Sequence, residues 1–302
     1  KNILVADKKF KYLDNNDGFI ILSNKAVYNK NDELIFTEGD SIAVYENYKL
    51  TALNFKFDRI KNILNAEKNV ELNDKENKIK IYSNKATYQK NKEIIVTKGN
   101  SKAVNENNII TASNFKFDRK KNILSAENNV KFEDEEDGFV VYSDNATYFK
   151  NDDIIVTKGN SKALNKKNII TASNFKFDRK ENILSADNNV KFEDKEKDTI
   201  ITSDRAKYLK KKDIILSENN STALVENKYN FLSTNVKYDK NKQQISSQDY
   251  SKIIEDNGNI YKTSNFLYQV DIKTLKAENV NAIIQVDKNK KDNYFFTEGF
   301  FN

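Results

Sequence analysis

The stretch NIITASNFKFDRKKNILSAENNVKFED fills residues 108–134, and residues 168–194 read NIITASNFKFDRKENILSADNNVKFED. Only two positions differ: Lys121 is answered by Glu181, and Glu127 by Asp187. A looser copy, TALNFKFDRIKNILNAEKNVELN, occupies residues 51–73. Ile63, Ile123 and Ile183 open the same ILxA segment, so the period is 123 − 63 = 183 − 123 = 60 residues. Self-similarity at a fixed period marks a repeat architecture, so the fold follows from what one unit can form.

Each unit divides into four segments, which in one copy are residues 109–118, 123–133, 139–150 and 154–165. They are rich in Ile, Val, Thr, Phe and Tyr, the side chains that pack on a pleated surface. Between them lie DRKKN, DEEDG, NDD and NKKN, whose Asn, Asp and Gly accept turn conformations. No segment sustains a helical period, and the pattern predicts an all-β chain. Within 123–133, Leu124, Ala126, Val130 and Phe132 share one parity, and Ser125, Glu127, Asn129 and Lys131 the other. Ala112 precedes Phe115 by three residues, so both point inward only if the strand bends between them. The same offset recurs at Ala52/Phe55 and Ala172/Phe175.

A half-period is also present. A shift of 29 residues lays SNKATY (83–88) over ASNFKF (112–117), and IIVTKGN (94–100) over residues 123–129. Gly39, Gly99, Gly159 and Asn219 share one slot, and Gly and Asn are the residues that tolerate a positive φ. The array is regular over residues 1–235, and 236–302 reads as a worn continuation of the same body. It opens in mid-repeat, ILVAD at 3–7 lying 60 residues before ILNAE at 63–67, and so reads as a segment of a longer protein.

Composition narrows the function classes. The charge balance, 51 − 45 = +6, is spread over interleaved signs, unlike the single basic stripe of a nucleic-acid binder. The chain has no Cys, His, Met, Trp or Pro, which removes thiolate chemistry and the commonest general base and metal ligand. No cofactor or metal site is expected. Carboxylate pairs such as Glu133/Asp134 and Glu193/Asp194 repeat identically in polar turns, whereas catalysis needs one distinguished site. We therefore expect no enzyme.

The half-repeat resembles the OstA-like repeat, typically A-D-x-A-x-Y-D followed by a strand and G-N-V. The matching stretches are SDNATY at 143–148, SNKATY at 83–88 and SDRAKY at 203–208, with Asn128-Asn129-Val130 in the place of G-N-V. Departures are the Phe-Lys-Phe variant in alternate half-repeats and Asn for Gly before Val. The family comprises LptA, LptC and the N-terminal domain of LptD, which together carry lipopolysaccharide across the periplasm; the length of the array is most like the LptD domain. The resemblance implies an elongated open β-jellyroll of two facing antiparallel sheets, periplasmic and associated with the outer membrane, whose groove holds lipid A acyl chains. It also implies a partner jellyroll adding to an edge strand at the N-terminal end, and an outer-membrane barrel after the C-terminus.

Under that reading the groove is lined by Phe55, Phe57, Leu64, Val70, Phe115, Phe117, Leu124, Val130, Phe132, Phe175, Phe177, Leu184, Val190 and Phe192. Burying hydrocarbon contributes roughly 0.8 kcal/mol per CH₂, so about ten methylenes of one chain supply ~8 kcal/mol before entropy. The competing expectation is a closed β-solenoid serving as a stalk or adhesin, with the same residues as a sealed core. Arg59, Arg119 and Arg179 each follow an Asp in the same turn and are expected to be neutralised by that neighbour.

Overall fold

The computed structural model describes every residue except Lys1, Asn107, Asp137, Lys166, Lys167, Lys288, Asn289 and Asn302, and only the backbone of Phe301. Residues 137, 166 and 167 of the expected turns thus lie outside the described residues. Two compact units divide the chain, residues 1–152 and 153–302. Among the described residues both are built from antiparallel strands, and the one helical element is the single turn Lys90–Lys92.

In the first unit each long strand serves two sheets. Ile63–Asp74 pairs through its first half with Asn54–Asp58 and through its second half with Tyr48–Ala52. Ile79–Gln89 pairs through its first half with Ser101–Asn105 and through its second half with Ile94–Lys98, and Ile123–Asp134 through its first half with Asn114–Asp118 and its second with Asn108–Ala112. The ribbon of hairpins is therefore folded lengthwise into two facing sheets that share a seam. The second unit repeats the arrangement through Ile183–Asp194, Tyr229–Asp239 and Thr274–Asp287, while Ile214–Val225 pairs along both halves with a long strand on either side.

At the seam every strand turns a corner, and the sequence supplies a residue for each kind of turn. Asn128 and Asn129 both adopt the left-handed conformation (φ 63° and 56°), as do Asn188/Asn189 and Asn219/Asn220; Asn tolerates that region better than most residues. Gly99 takes the adjacent corner at φ 80°, with Gly39 and Gly159 alike. The predicted break between Ala112 and Phe115 falls at Ser113, between two strands, and both flanking side chains are buried. Backbone bonds run along the seam: Asn84 N donates to Gly99 O (3.1 Å), Gly99 N to Ser113 O (2.9 Å), and Ser113 N to Asn128 O (3.0 Å). Where a corner strips a donor of its ladder partner, a buried hydroxyl replaces it. Phe55 N, Phe115 N and Phe175 N donate to the Oγ1 of Thr37, Thr97 and Thr157, each at 2.9 Å.

Candidate functional site

The inward faces of the two sheets enclose one apolar interior in each unit. All fourteen residues expected to line a groove lie in it, each at most 3 % exposed. The interior of the second unit holds a cavity of about 10 Å³, between residues such as Leu184, Val190, Phe192 and Tyr208. At the beginning of the first unit it widens into a vestibule of about 320 Å³, lined by Leu4, Phe10, Tyr12, Tyr28, Ile35 and Arg59 among others.

Opposite the seam the sheets end in turns that face each other as two lips. Their contacts among the described residues are made by side chains. Arg119, 2 % exposed, reaches across to Asp74 with Nε 2.6 Å from Oδ2, contacts Glu93 on its own lip at 3.0 Å, and lies over the Tyr48 ring at 4.1 Å. Lys90 crosses to Asp14 (3.3 Å) and Asp17 and caps Phe19 at 4.9 Å. Lys150 donates to the Asn77 carbonyl. In the second unit Lys240 bonds Asn168 (2.6 Å) and pairs with Asp194 (3.2 Å), and Asp194 also accepts from the Tyr238 hydroxyl (3.0 Å). The roll is open in its backbone and closed by its side chains.

Arg59, Arg119 and Arg179 thus correct the expectation from sequence. The preceding Asp does not neutralise them: Asp58, Asp118 and Asp178 accept the backbone N–H three residues on, closing their own turns. Arg59 instead pairs with Glu33 and donates to the Tyr12 and Tyr28 hydroxyls, and Arg179 meets Asp153 at 2.6 Å. A cation fills this slot in successive half-repeats at Lys30, Arg59, Lys90, Arg119, Lys150, Arg179, Lys210 and Lys240. Aspartates of the opposite lip recur at 14, 74, 134 and 194. Both series were in the sequence, and their common period was the signal that could have found them.

Electrostatics holds these pairs charged. Burial alone would raise the Asp74 pKa, but hydrogen bonds from Arg119 and Asn77 keep it below the ordinary 3.8. Burial would lower the Lys90 pKa, and Asp17 and Asp14 raise it instead. Lys150, which meets a carbonyl and no carboxylate among the described residues, is pushed down by burial. Among the described residues no cluster of His, Cys, Asp and Glu could hold a metal ion, and no helix is long and apolar enough to cross a membrane.

No family model matches the chain, and no curated protein matches it. Among solved structures it is similar to LptH from Pseudomonas aeruginosa, described as the LptA-homologous periplasmic component of the lipopolysaccharide transport device. That likeness has 16 % identity and a TM-score of 0.36, over 38 % of this chain and 85 % of LptH.

Proposed function

We propose that this chain is a periplasmic module of a lipopolysaccharide transport bridge and carries lipid A acyl chains in its interior. The observation that carries the reading is the asymmetry of the roll. One side of the apolar interior is sealed by backbone hydrogen bonds, and the other, among the described residues, is held by side chains of the two lips. Parting the lips costs ion pairs and no strand pairing, so hydrocarbon enters sideways and the sheets stay intact. Similar sites in series let a lipid advance without one deep trap, and the vestibule beside Leu4, Phe10 and Tyr12 offers a first apolar station. In this reading the strand Ile3–Ala6, whose Ile3, Leu4 and Val5 are 57–65 % exposed, accepts a strand of a partner jellyroll, and an outer-membrane barrel lies beyond the other end.

The test is photocrosslinking from position 117, with position 116 as outward control, in cells that make lipopolysaccharide. A lipopolysaccharide adduct at 117 and none at 116 is expected. Folded protein without adducts at 57, 117 or 177 would overturn the reading.

One observation favours a second reading, a structural stalk. The interior is packed to at most 3 % exposure at every proposed lipid contact, as a sealed core would be. The stalk requires that the lips never part, so a covalent cross-link between the lips would leave its function intact.

A further inference from the structure

The repeats are nearly interchangeable, which makes local departures informative. On the outer face of the first sheet one row runs across the strands as Val5, Val27, Phe36, Lys56, Asn65, Thr87, Val96 and Lys116, each paired with the next. Where the later copies carry Thr87 and Thr147, the first carries Val27; where they carry Ser113 and Ser173, it carries Leu53; and Phe36 stands where they have Val96 and Val156. These departures gather at one end of one outer face. Val5 is 64 % exposed, Val27 and Phe36 each 40 %, and Leu53 38 %. They contribute nothing to the interior, because Ala26, Ile35 and Thr37 fill the inward positions of the same strands.

The patch is concave. It forms an open groove of about 1120 Å³, with Val5, Val27, Phe36 and Leu53 among its lining residues. The groove also carries Lys25, Lys56, Lys68, Lys85 and Lys98 against Asp7, Glu38 and Glu67. Glu67 is already taken by Lys85 at 2.9 Å, and the Lys56 ammonium sits 5.5 Å from the Phe36 ring centre, joining cation and apolar floor. An apolar trough with a cationic rim complements a molecule with a hydrocarbon tail and an anionic head. Its concavity fits a single amphipath, since a flat bilayer cannot reach the floor of a trough.

We propose that this outer groove is a second ligand site, which takes one phosphate-bearing lipid with its chain on Val27, Phe36 and Leu53 and its phosphate among Lys56, Lys68 and Lys98. It adjoins the vestibule at the sheet edge, where both are lined by Val5, Ala6 and Ala26, but Val27, Phe36 and Lys56 lie on the face opposite Ala26, Ile35 and Phe55, and neither site requires the other.

Calorimetric titration of the 302-residue chain tests it, with monomeric lysophosphatidic acid as ligand, below its micelle concentration. Two comparators are lysophosphatidylcholine of the same chain length and glycerol phosphate. The variant Val27→Thr/Phe36→Val/Leu53→Ser places in the first copy the residues of the later ones, so the melting transition is expected to be unchanged. We expect saturable binding of the monoester, weakened roughly tenfold or more by the triple variant, where buried methylenes are lost. Lys56→Gln/Lys98→Gln is expected to weaken it and flatten its salt dependence. Binding as tight by lysophosphatidylcholine, or by glycerol phosphate, would overturn the proposal, as would full affinity in the triple variant or binding only to vesicles of the same lipid. Photocrosslinking from positions 36 and 117 separates the two sites. Loss of the adduct at 36 alone when Val27→Thr and Leu53→Ser are introduced beside the crosslinker supports the outer groove, whereas an adduct at 36 without one at 117 counts against the interior reading only.

Discussion

The seam and the lip of this roll close the same interior by opposite means. At the seam, backbone bonds such as Gly99 N to Ser113 O pass from strand to strand, and buried Thr hydroxyls serve the donors that each corner exposes. At the lip, Arg119, Lys90 and Lys240 reach across to Asp74, Asp14 and Asp194. A backbone seam parts only when strands unpair, whereas an ion-paired lip parts by exchange of partners. The two closures therefore differ in what it costs to part them.

The largest expected effect is at the lip. Arg119→Ala leaves Asp74 as a buried carboxylate without its cation, and such a loss costs about 3–5 kcal/mol. Chemical denaturation measures it. The double variant Arg119→Met/Asp74→Leu removes both charges and should recover most of that stability; no recovery would mean that packing of Arg119 on Tyr48, and not charge, holds this lip.

Acid acts on the same contacts. Asp74 titrates below 3.8 in the folded chain, and Asp14 is lowered too, by Asn16 and Lys90 against the effect of burial. A depressed carboxylate contributes fully above its unfolded value and loses that contribution as the pH falls through the lower folded one. The melting temperature should therefore fall as the pH drops below 3.8, and less steeply in the double variant that lacks both charges. Equal slopes would place the acid sensitivity elsewhere.

The seam is probed by Gly99→Ala. The new Cβ would stand 3.0 Å from Asn84 Nδ2 on a backbone at φ 80°, and a left-handed L-residue costs about 1–2 kcal/mol. Asn219→Gly, in the same slot of a later copy and at φ 61°, is expected to change stability by only about a few tenths of a kcal/mol. If both substitutions cost the same, the corner is set by contacts and not by backbone conformation.

Much of this was legible beforehand, for physical reasons. Period-two alternation determined which side chains face inward, because a one-residue slip would turn every one of them to water; the expected bend before Phe115 lies at Ser113. Gly39, Gly99, Gly159 and Asn219 shared a slot because few residues accept its φ. The pairing across the lips was not legible. Arg119 has an aspartate next to it in sequence, and only the fold brings Asp74, 45 residues away, within 2.6 Å. The closeness of the packing was hidden too, since inward Phe and Leu read alike in a filled core and a vacant groove.

The smallest effect sharpens the comparison most. Lys85 and Glu67 form an ion pair of 2.9 Å on the outer face, close in length to the pair of Arg119 with Asp74, but their side chains are 61 % and 51 % exposed. Water already solvates both groups, and the pair spends side-chain entropy to hold its geometry, so exposed pairs contribute at most about 1 kcal/mol and often nothing measurable. Lys85→Ala should accordingly leave the denaturation midpoint nearly unchanged. Its small cost should vanish in high salt, which screens exposed charges and spares buried ones. A loss at Lys85 comparable to that at Arg119 would mean that ion pairs stabilise the whole surface alike. The lip would then be no special closure, and the roll would have no reason to open there and not elsewhere.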